Sequence, residues 1–338
     1  MLSGLSRDEG PVGYGGYGVL GMGMYVPQRV ATNAEIGAAA GVTEEWIVEK
    51  TGVLERRRAA AGENTADMAA EAGRLALKDA RERALTPEAA DDPGMLIVAT
   101  STPDRQVPAP VSDVHARMGL GPMPALSLDG GCAGFAQAMV TADAYHRIGQ
   151  ARTALVVGSH RIENFVVPSD RKTMPLFGDG AGAYLMGPVP PGYGMLTYQL
   201  VTDSTFVDAL RTPYRTPDSA GVEPLHMDGH VLVDVFVREI PELLRKSLAE
   251  VGLTIEDIDH LFVHQANVQM VRTLGRVLGL APEKVPTSGE LVANTASASL
   301  PIGTVMAARE RRIARGDIVV MVTAGAGVSG AVIVMRWY

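Results

Sequence analysis

Asp129-Gly130-Gly131-Cys132-Ala133-Gly134-Phe135 holds the only cysteine of the chain. A strand-like run, Ala125–Leu128, precedes it, and a helix-like run over residues 135–148 follows. The thiol therefore stands at a helix N-terminus. Unpaired backbone N–H groups and the helix dipole there favour an anion, and so the thiolate over the thiol. Gly130, Gly131, Ala133 and Gly134 leave room for a ligand to approach the sulfur. A nucleophile satisfies these features, and so does a buried cysteine acting as a small hydrophobe. The stretch by itself does not choose between them.

With 338 residues the chain has enough material for a large core, either as two domains or as one duplicated unit. Apolar residues are 46%, charged residues 20%, and glycines number 38, as in an ordinary globular α/β protein. A net charge of -8 argues against a nucleic-acid partner, which wants a basic footprint. One cysteine excludes a disulfide framework and a cysteine-rich metal site, and it fits a reducing cytoplasm, the expected location. Residues 1–16 are Gly-rich and polar, without the apolar core of a signal peptide. No segment reaches the roughly 18 uninterrupted apolar residues of a membrane helix, so no membrane association is expected.

Outward from the cysteine, strand and helix patterns alternate. Residues 17–25, 95–100, 154–158 and 181–186 read as strands, and 66–85 and 111–118 as helices. Asn33 and Thr43 are candidate N-caps. Arg56, Arg57 and Arg58 read most simply as a solvated surface, with a basic lip for a phosphate-bearing substrate as the functional alternative. Residues 188–194 are Pro/Gly-rich and mark a midpoint. The expected division is an extension at 1–16, a first half at 17–190 and a second at 191–338. In the second half 195–201, 260–263, 318–323 and 332–337 read as strands, 231–251, 268–280 and 304–315 as helices, and 211–224 as a polar loop. The strands are near-continuous apolar runs, which predicts sheets covered on both faces.

A cysteine nucleophile needs a group to manage its proton and donors for the oxyanion formed on attack. His264 follows a buried strand at the mouth of a helix. Asn294 precedes a run of small residues, where it serves either as a turn residue or as an amide donor to a carbonyl. Ala324-Gly325-Ala326-Gly327 either simply connects strands or aims backbone N–H groups at an oxyanion. Neither Gly-rich turn fits a dinucleotide fingerprint, and Gly178-Asp179-Gly180-Ala181-Gly182 precedes a strand, where a phosphate cradle precedes a helix. His226 with His230 and His260 with His264 stand at H-x-x-x-H spacing, but neither pair falls within an expected helix, which would put both rings on one face, so no metal is expected.

Taken together, these pieces resemble the β-ketoacyl-ACP synthase III family of the thiolase superfamily, from about Tyr17 to Trp337. The matching stretches are Glu45-Trp46-Ile47-Val48 with Thr51-Gly52-Val53-Leu54-Glu55-Arg56, Cys132-Ala133-Gly134-Phe135, Ser169-Asp170-Arg171, Phe177-Gly178-Asp179-Gly180-Ala181-Gly182, His264-Gln265-Ala266-Asn267 and Asn294-Thr295. The resemblance implies an α/β thiolase fold, a duplicated αβαβα five-layer sandwich, in a homodimer. It implies a catalytic Cys132, His264 and Asn294, with an acyl-S-enzyme loaded from acyl-CoA or an acyl carrier protein and no other cofactor. It places Cys132 and Ala326 N–H in an oxyanion hole. Trp46, Lys50, Arg171 and Asn267 fall at CoA- and pantetheine-binding positions. Val107, Ile162, Phe177, Val233 and Ala324 fall at acyl-pocket positions, with Val107 reaching into the partner subunit.

Departures from the family pattern shape the expected reaction. Ala324 stands where condensing members usually carry a large aromatic that shields the decarboxylation site. Val233 stands where Phe is common, which leaves room for a bulky or aromatic acyl group. Gln269, Asp234 and Lys50 alter basic positions that handle pantetheine or the carrier protein. On these grounds the expected activity is acyl transfer from Cys132 to a hydroxyl or amine of a small molecule in polyketide-type secondary metabolism. The alternative is decarboxylative condensation of an acyl starter with malonyl-ACP. A non-catalytic scaffold on the same fold would usually have lost the cysteine.

Overall fold

In the computed structural model of the protein, residues 16–83, 90–162, 165–213 and 225–338 are described. The expected N-terminal extension, up to residue 15, and most of the polar loop at 211–224 lie outside them. The first half runs through β1 (Tyr17–Tyr25), β2 (Arg29–Thr32), α1 (Asn33–Ala40), α2 (Glu44–Thr51), β3 (Glu55–Arg58) and α3 (Thr65–Arg83). It continues through β4 (Leu96–Ala99), α4 (Pro110–Met118), β5 (Ala125–Leu128), α5 (Gly134–Arg147), β6 (Ala154–His160) and β7 (Gly180–Pro188). The second half has β8 (Gly194–Thr202), the short pair β9 (Leu210–Arg211) and β10 (His226–Met227), and α6 (Gly229–Glu250). There follow β11 (His260–Val263), α7 (Val268–Leu278), α8 (Gly289–Val292), α9 (Ser299–Arg309), β12 (Ile318–Gly325) and β13 (Ser329–Arg336).

Two main sheets repeat one topology. The first has the order β1-β7-β6-β4-β5, the second β11-β12-β13-β8. β4 runs parallel to β6, and β7 antiparallel to both β6 and β1. In the same places β11 runs parallel to β12, and β13 antiparallel to both β12 and β8. β5 extends the first sheet as its edge strand.

Strand alternation sorts the side chains into layers. Val319 and Met321 of β12 face a central core that also takes Phe135, Ala138 and Met139 of α5, Leu300 and Val305 of α9, and Ile97, Val156 and Tyr184 of the first sheet. The alternate residues Val320 and Val322 face the opposite way, onto Ile240, Leu244 and Leu248 of α6 and Val271 and Leu274 of α7. On the other flank, Met68, Ala69 and Ala72 of α3 and Val111 and Val114 of α4 cover Leu96, Val98 and Leu155. The layers are therefore helices, sheet, α5 with α9, sheet, helices: the αβαβα sandwich of the thiolase fold.

Three local expectations are corrected. Thr32, not Asn33, caps α1: its hydroxyl accepts the Glu35 N–H at 3.2 Å. Asn33 is instead buried, its amide donating to Val53 O at 2.9 Å. The helix expected over 304–315 starts five residues earlier and ends at Arg309. Pro301 falls in its first turn, where the missing N–H costs no helical bond.

The third correction concerns the arginines. β3 alternates between half-buried and buried positions. Arg56 is fully buried, donating to Asn33 Oδ1 at 2.7 Å and Pro175 O at 2.9 Å. Arg58 is buried 3.7 Å from the carboxylate of Asp179. That carboxylate also accepts the backbone N–H groups of Ala59 and Ile162, each at 2.8 Å. The Gly178-Asp179-Gly180 motif is thus a structural clasp.

Candidate active site

The site forms where loops of both halves meet at the ends of α5 and α9. Cys132 sits in a 3-10 turn, Gly131–Ala133, that runs directly into α5. Asn294 precedes the corresponding turn, Ala296–Ala298, that runs into α9. The two turns touch. A Cβ placed on Gly134 would lie 3.8 Å from Ser297 Cβ, and Ser297 Oγ donates to Ala99 O at 3.1 Å.

The second sheet holds Cys132 from the other side. Thr323 Oγ1, on β12, donates to the Cys132 carbonyl at 2.9 Å. Two residues on, Gly325 packs directly against Cys132. Ala326 opens the next turn, and a Cβ on Gly131 would lie 3.9 Å from Ala326 Cβ. β11 brings in the histidine, because His264 N–H donates to Val322 O at 2.8 Å, one residue before Thr323.

Cys132 departs from the electrostatic expectation. Its position at the start of α5 favours an anion, yet burial outweighs this and pushes the thiol up to about 12, opposed only by a backbone hydrogen bond. The resting group is a thiol. Burial pushes the His264 imidazole down to about 4, with the Ala296 backbone opposing, so the ring is neutral at pH 7. Its Nδ1 shares a 2.7 Å hydrogen bond with Ser299 Oγ, which also accepts the Gln265 N–H at 3.3 Å.

Asn294 is held by its backbone and by its side-chain oxygen. Its N–H donates to Leu176 O at 2.9 Å, and its carbonyl accepts the Gly178 N–H at 3.0 Å. Asn294 Oδ1 accepts the Ala296 N–H at 2.8 Å, which fixes the amide orientation. Among the described residues no protein acceptor takes the Nδ2 hydrogens, so they remain for a ligand. Ala293 (φ 58°) and Ala296 (φ 49°) flank Asn294 in left-handed backbone, a conformation that costs an alanine about 1–3 kcal/mol. Local strain of this kind clusters at functional sites.

The other expected residues separate into groups. Arg171 lies over Trp46, its guanidinium carbon 5.1 Å from the ring centroid. Lys50 is exposed and paired with Glu49 at 2.8 Å. Asn267 caps α7 through its Oδ1, while its Nδ2 donates to Lys50 O at 2.9 Å and so ties α7 to α2. Ile162 and Phe177 share a buried cluster with Val166 and Leu176. Ala324 lines a narrow apolar crevice with Val328, Phe206, Val235 and Phe236. Val233 and Val107 are not brought to that crevice: both are exposed, Val107 at 83%.

Sequence inspection missed Thr323, Ser299 and His160. Each is a polar residue within or beside an apolar run, and each is paired with a residue remote in the chain.

The sandwich and the meeting of cysteine, histidine and asparagine loops define a protein of the thiolase fold. Residues 126–204 match the family model described as 3-oxoacyl-[acyl-carrier-protein (ACP)] synthase III, and residues 248–337 match the model of that family's C-terminal part. The β-ketoacyl-[acyl-carrier-protein] synthase III of Geobacillus kaustophilus is 37% identical over 322 residues, covering 95% of this chain and 99% of the relative. The crystal structure of the Thermus thermophilus β-ketoacyl-[acyl carrier protein] synthase III superposes with a TM-score of 0.87 at 36% identity, covering 95% of this chain and 99% of that one. The priming β-ketosynthase of the R1128 polyketide pathway gives a TM-score of 0.87 at 31% identity, covering 95% and 96%. The chain belongs to the β-ketoacyl-[acyl-carrier-protein] synthase III family.

This overturns the expected transfer to a hydroxyl or amine of a small molecule in secondary metabolism. Relatives 35–38% identical over nearly the whole chain are named as β-ketoacyl-[acyl-carrier-protein] synthase III. A single position such as Ala324 does not outweigh that. Phe206 and Phe236 line the apolar crevice together with Ala324.

Proposed function

We propose that the protein is a decarboxylating β-ketoacyl-ACP synthase III, which joins an acyl starter to malonyl-ACP. The observation that carries this is a neutral His264 together with an Asn294 amide whose N–H groups are left for a ligand. Condensation needs neutral donors at the malonyl thioester carbonyl, where negative charge develops as carbon dioxide leaves.

In the first half-reaction Cys132 sulfur attacks the thioester carbonyl of acyl-CoA or acyl-ACP. The Cys132 and Ala326 N–H groups hold the oxyanion, and the donor's sulfur leaves with the proton. In the second, malonyl-ACP binds with its thioester oxygen on Asn294 Nδ2 and His264 Nε2. The bond to the carboxylate breaks, carbon dioxide departs, and the electron pair forms an enolate. Its carbon attacks the acyl carbon, the Cys132–acyl bond breaks to leave a thiolate, and a proton taken up from solvent returns it to the thiol. Trp46, Lys50, Arg171 and Asn267 stand along the path of the CoA or carrier arm. Ile162 and Phe177 receive the acyl chain, with Val107 supplied by a second copy.

A homodimer fits two further features. β5 is an edge strand with all four residues half-buried, and Val107 is an exposed apolar side chain. Pairing β5 with its copy would cover the edge.

Intact-protein mass spectrometry with acetyl-CoA tests the first half-reaction. Wild type should gain one acetyl group and Cys132→Ala none, with its fold kept. Full turnover of Cys132→Ala would place the nucleophile elsewhere.

A further inference from the structure

His160, the last residue of β6, is a buried ionisable group that the chemistry above does not use. Its Nε2 accepts the Ser101 backbone N–H at 3.1 Å, and its Nδ1 lies 3.2 Å from Ser297 Oγ. A backbone N–H only donates, so Nε2 carries no proton. The neutral ring therefore bears its proton on Nδ1 and donates it to Ser297, whose own hydroxyl donates to Ala99 O at 3.1 Å. On the other side, the Ser101 hydroxyl donates to the Asp129 carboxylate, which also accepts the Gly131 N–H at 3.4 Å. An unbroken polar chain thus runs from Gly131, next to the nucleophile, through His160 to Ser297, midway between Asn294 and Ser299.

We propose that His160 is a positioning residue that locks the Cys132 loop to the Asn294 loop. It keeps the acyl carbon and the carbonyl of the second substrate in register. Protonating the ring would set two donors against each other at Ser101, so the lock requires the neutral imidazole. Burial, and after it the neighbouring His264, push the His160 pKa down to about 3, which keeps the ring neutral near pH 7.

The test uses the full chain as wild type, His160→Ala, His160→Asn, Ser297→Ala and the His160→Ala/Ser297→Ala double variant. Acetyl loading from acetyl-CoA and carbon dioxide release from malonyl-ACP by the preloaded enzyme are followed separately, and ¹⁵N-histidine spectra report the rings. His160→Ala and Ser297→Ala should each keep loading within about threefold and lose about 10–100-fold in carbon dioxide release, as a small misplacement does. His160→Asn, which keeps a donor and an acceptor, should recover part of the loss. The double variant should lose no more than either single one. Equal loss of both half-reactions, or losses that multiply in the double variant, would overturn the proposal. The kinetic readout rests on the condensing reaction proposed above. A wild type that loads but releases no carbon dioxide would remove that reaction, and the spectra then decide the lock. Nδ1-protonated His160, with His264 signals that shift in Ser297→Ala, supports it; unmoved His264 signals overturn it.

Discussion

Gly325 lies against Cys132 so closely that a Cβ on the glycine would stand 2.8 Å from Cys132 Cβ and 3.1 Å from its backbone nitrogen. Cys132 comes from the first half of the chain and this glycine from the end of β12 in the second. The thiol is therefore placed by contact between the halves as much as by its own turn. Gly325→Ala should displace Cys132 and slow acetyl loading at least about 100-fold, as a misplacement of order 1 Å does. Intact mass against time checks this. Loading within threefold of wild type would show that the contact is not needed.

Because Cys132 is the only cysteine, thiol reactivity reports it alone. With the pKa raised to about 12 by burial, the thiolate fraction grows tenfold per pH unit across the accessible range. The rate of iodoacetamide labelling of the unliganded protein should climb from pH 7 to pH 10 without levelling. A plateau at or below pH 8 would mean that the helix N-terminus outweighs burial after all.

Much of this site was legible in the chain, for identifiable reasons. Cys132, His264 and Asn294 each stand where an apolar run gives way to small residues, and that change of pattern marks a loop mouth. The strands β1, β5 and β11 fall at their expected bounds because turn residues frame their apolar runs. Arg56 and Arg58 were not legible as buried. Three consecutive arginines look solvated, and their partners Asn33, Pro175 and Asp179 are distant in sequence. His160 was hidden in the same way: it ends an apolar strand, and its partners Ser101 and Ser297 come from two separate segments. The upward push on the Cys132 thiol was not legible either, because desolvation is a property of the assembled sandwich.

Trp46 and Arg171 stand 5.1 Å apart, centroid to guanidinium carbon. A planar base between them needs two contacts of about 3.5 Å each, so the pair must open by roughly 2 Å to admit adenine. Loss of a stacking ring costs about 1–3 kcal/mol. Trp46→Ala should therefore raise KM for acetyl-CoA about 5–150-fold, with kcat close to wild type. An unchanged KM would remove Trp46 from the CoA path.

His264 and His160 shape acid stability. Both folded-state pKa values, about 4 and about 3, lie below the unfolded value near 6.5, so the unfolded chain binds more protons between these limits. Stability is then full above pH 6.5 and falls as pH drops toward 4, by up to about 1.4 kcal/mol per pH unit for each histidine. Urea unfolding at pH 7, 6, 5 and 4.5 measures this, and His160→Asn should flatten the slope. A wild-type stability constant from pH 7 to pH 5 would contradict the buried neutral rings.

The most direct measurement supplies the acetyl-loaded enzyme with malonyl-ACP and follows carbon dioxide and product together. Condensation at Cys132 with His264 and Asn294 as donors predicts one carbon dioxide released per acetoacetyl-ACP formed, with both lost in His264→Ala and Asn294→Ala while acetyl loading persists. An acetyl group that leaves Cys132 without carbon dioxide release, or that stays on the enzyme in the presence of malonyl-ACP, would contradict it.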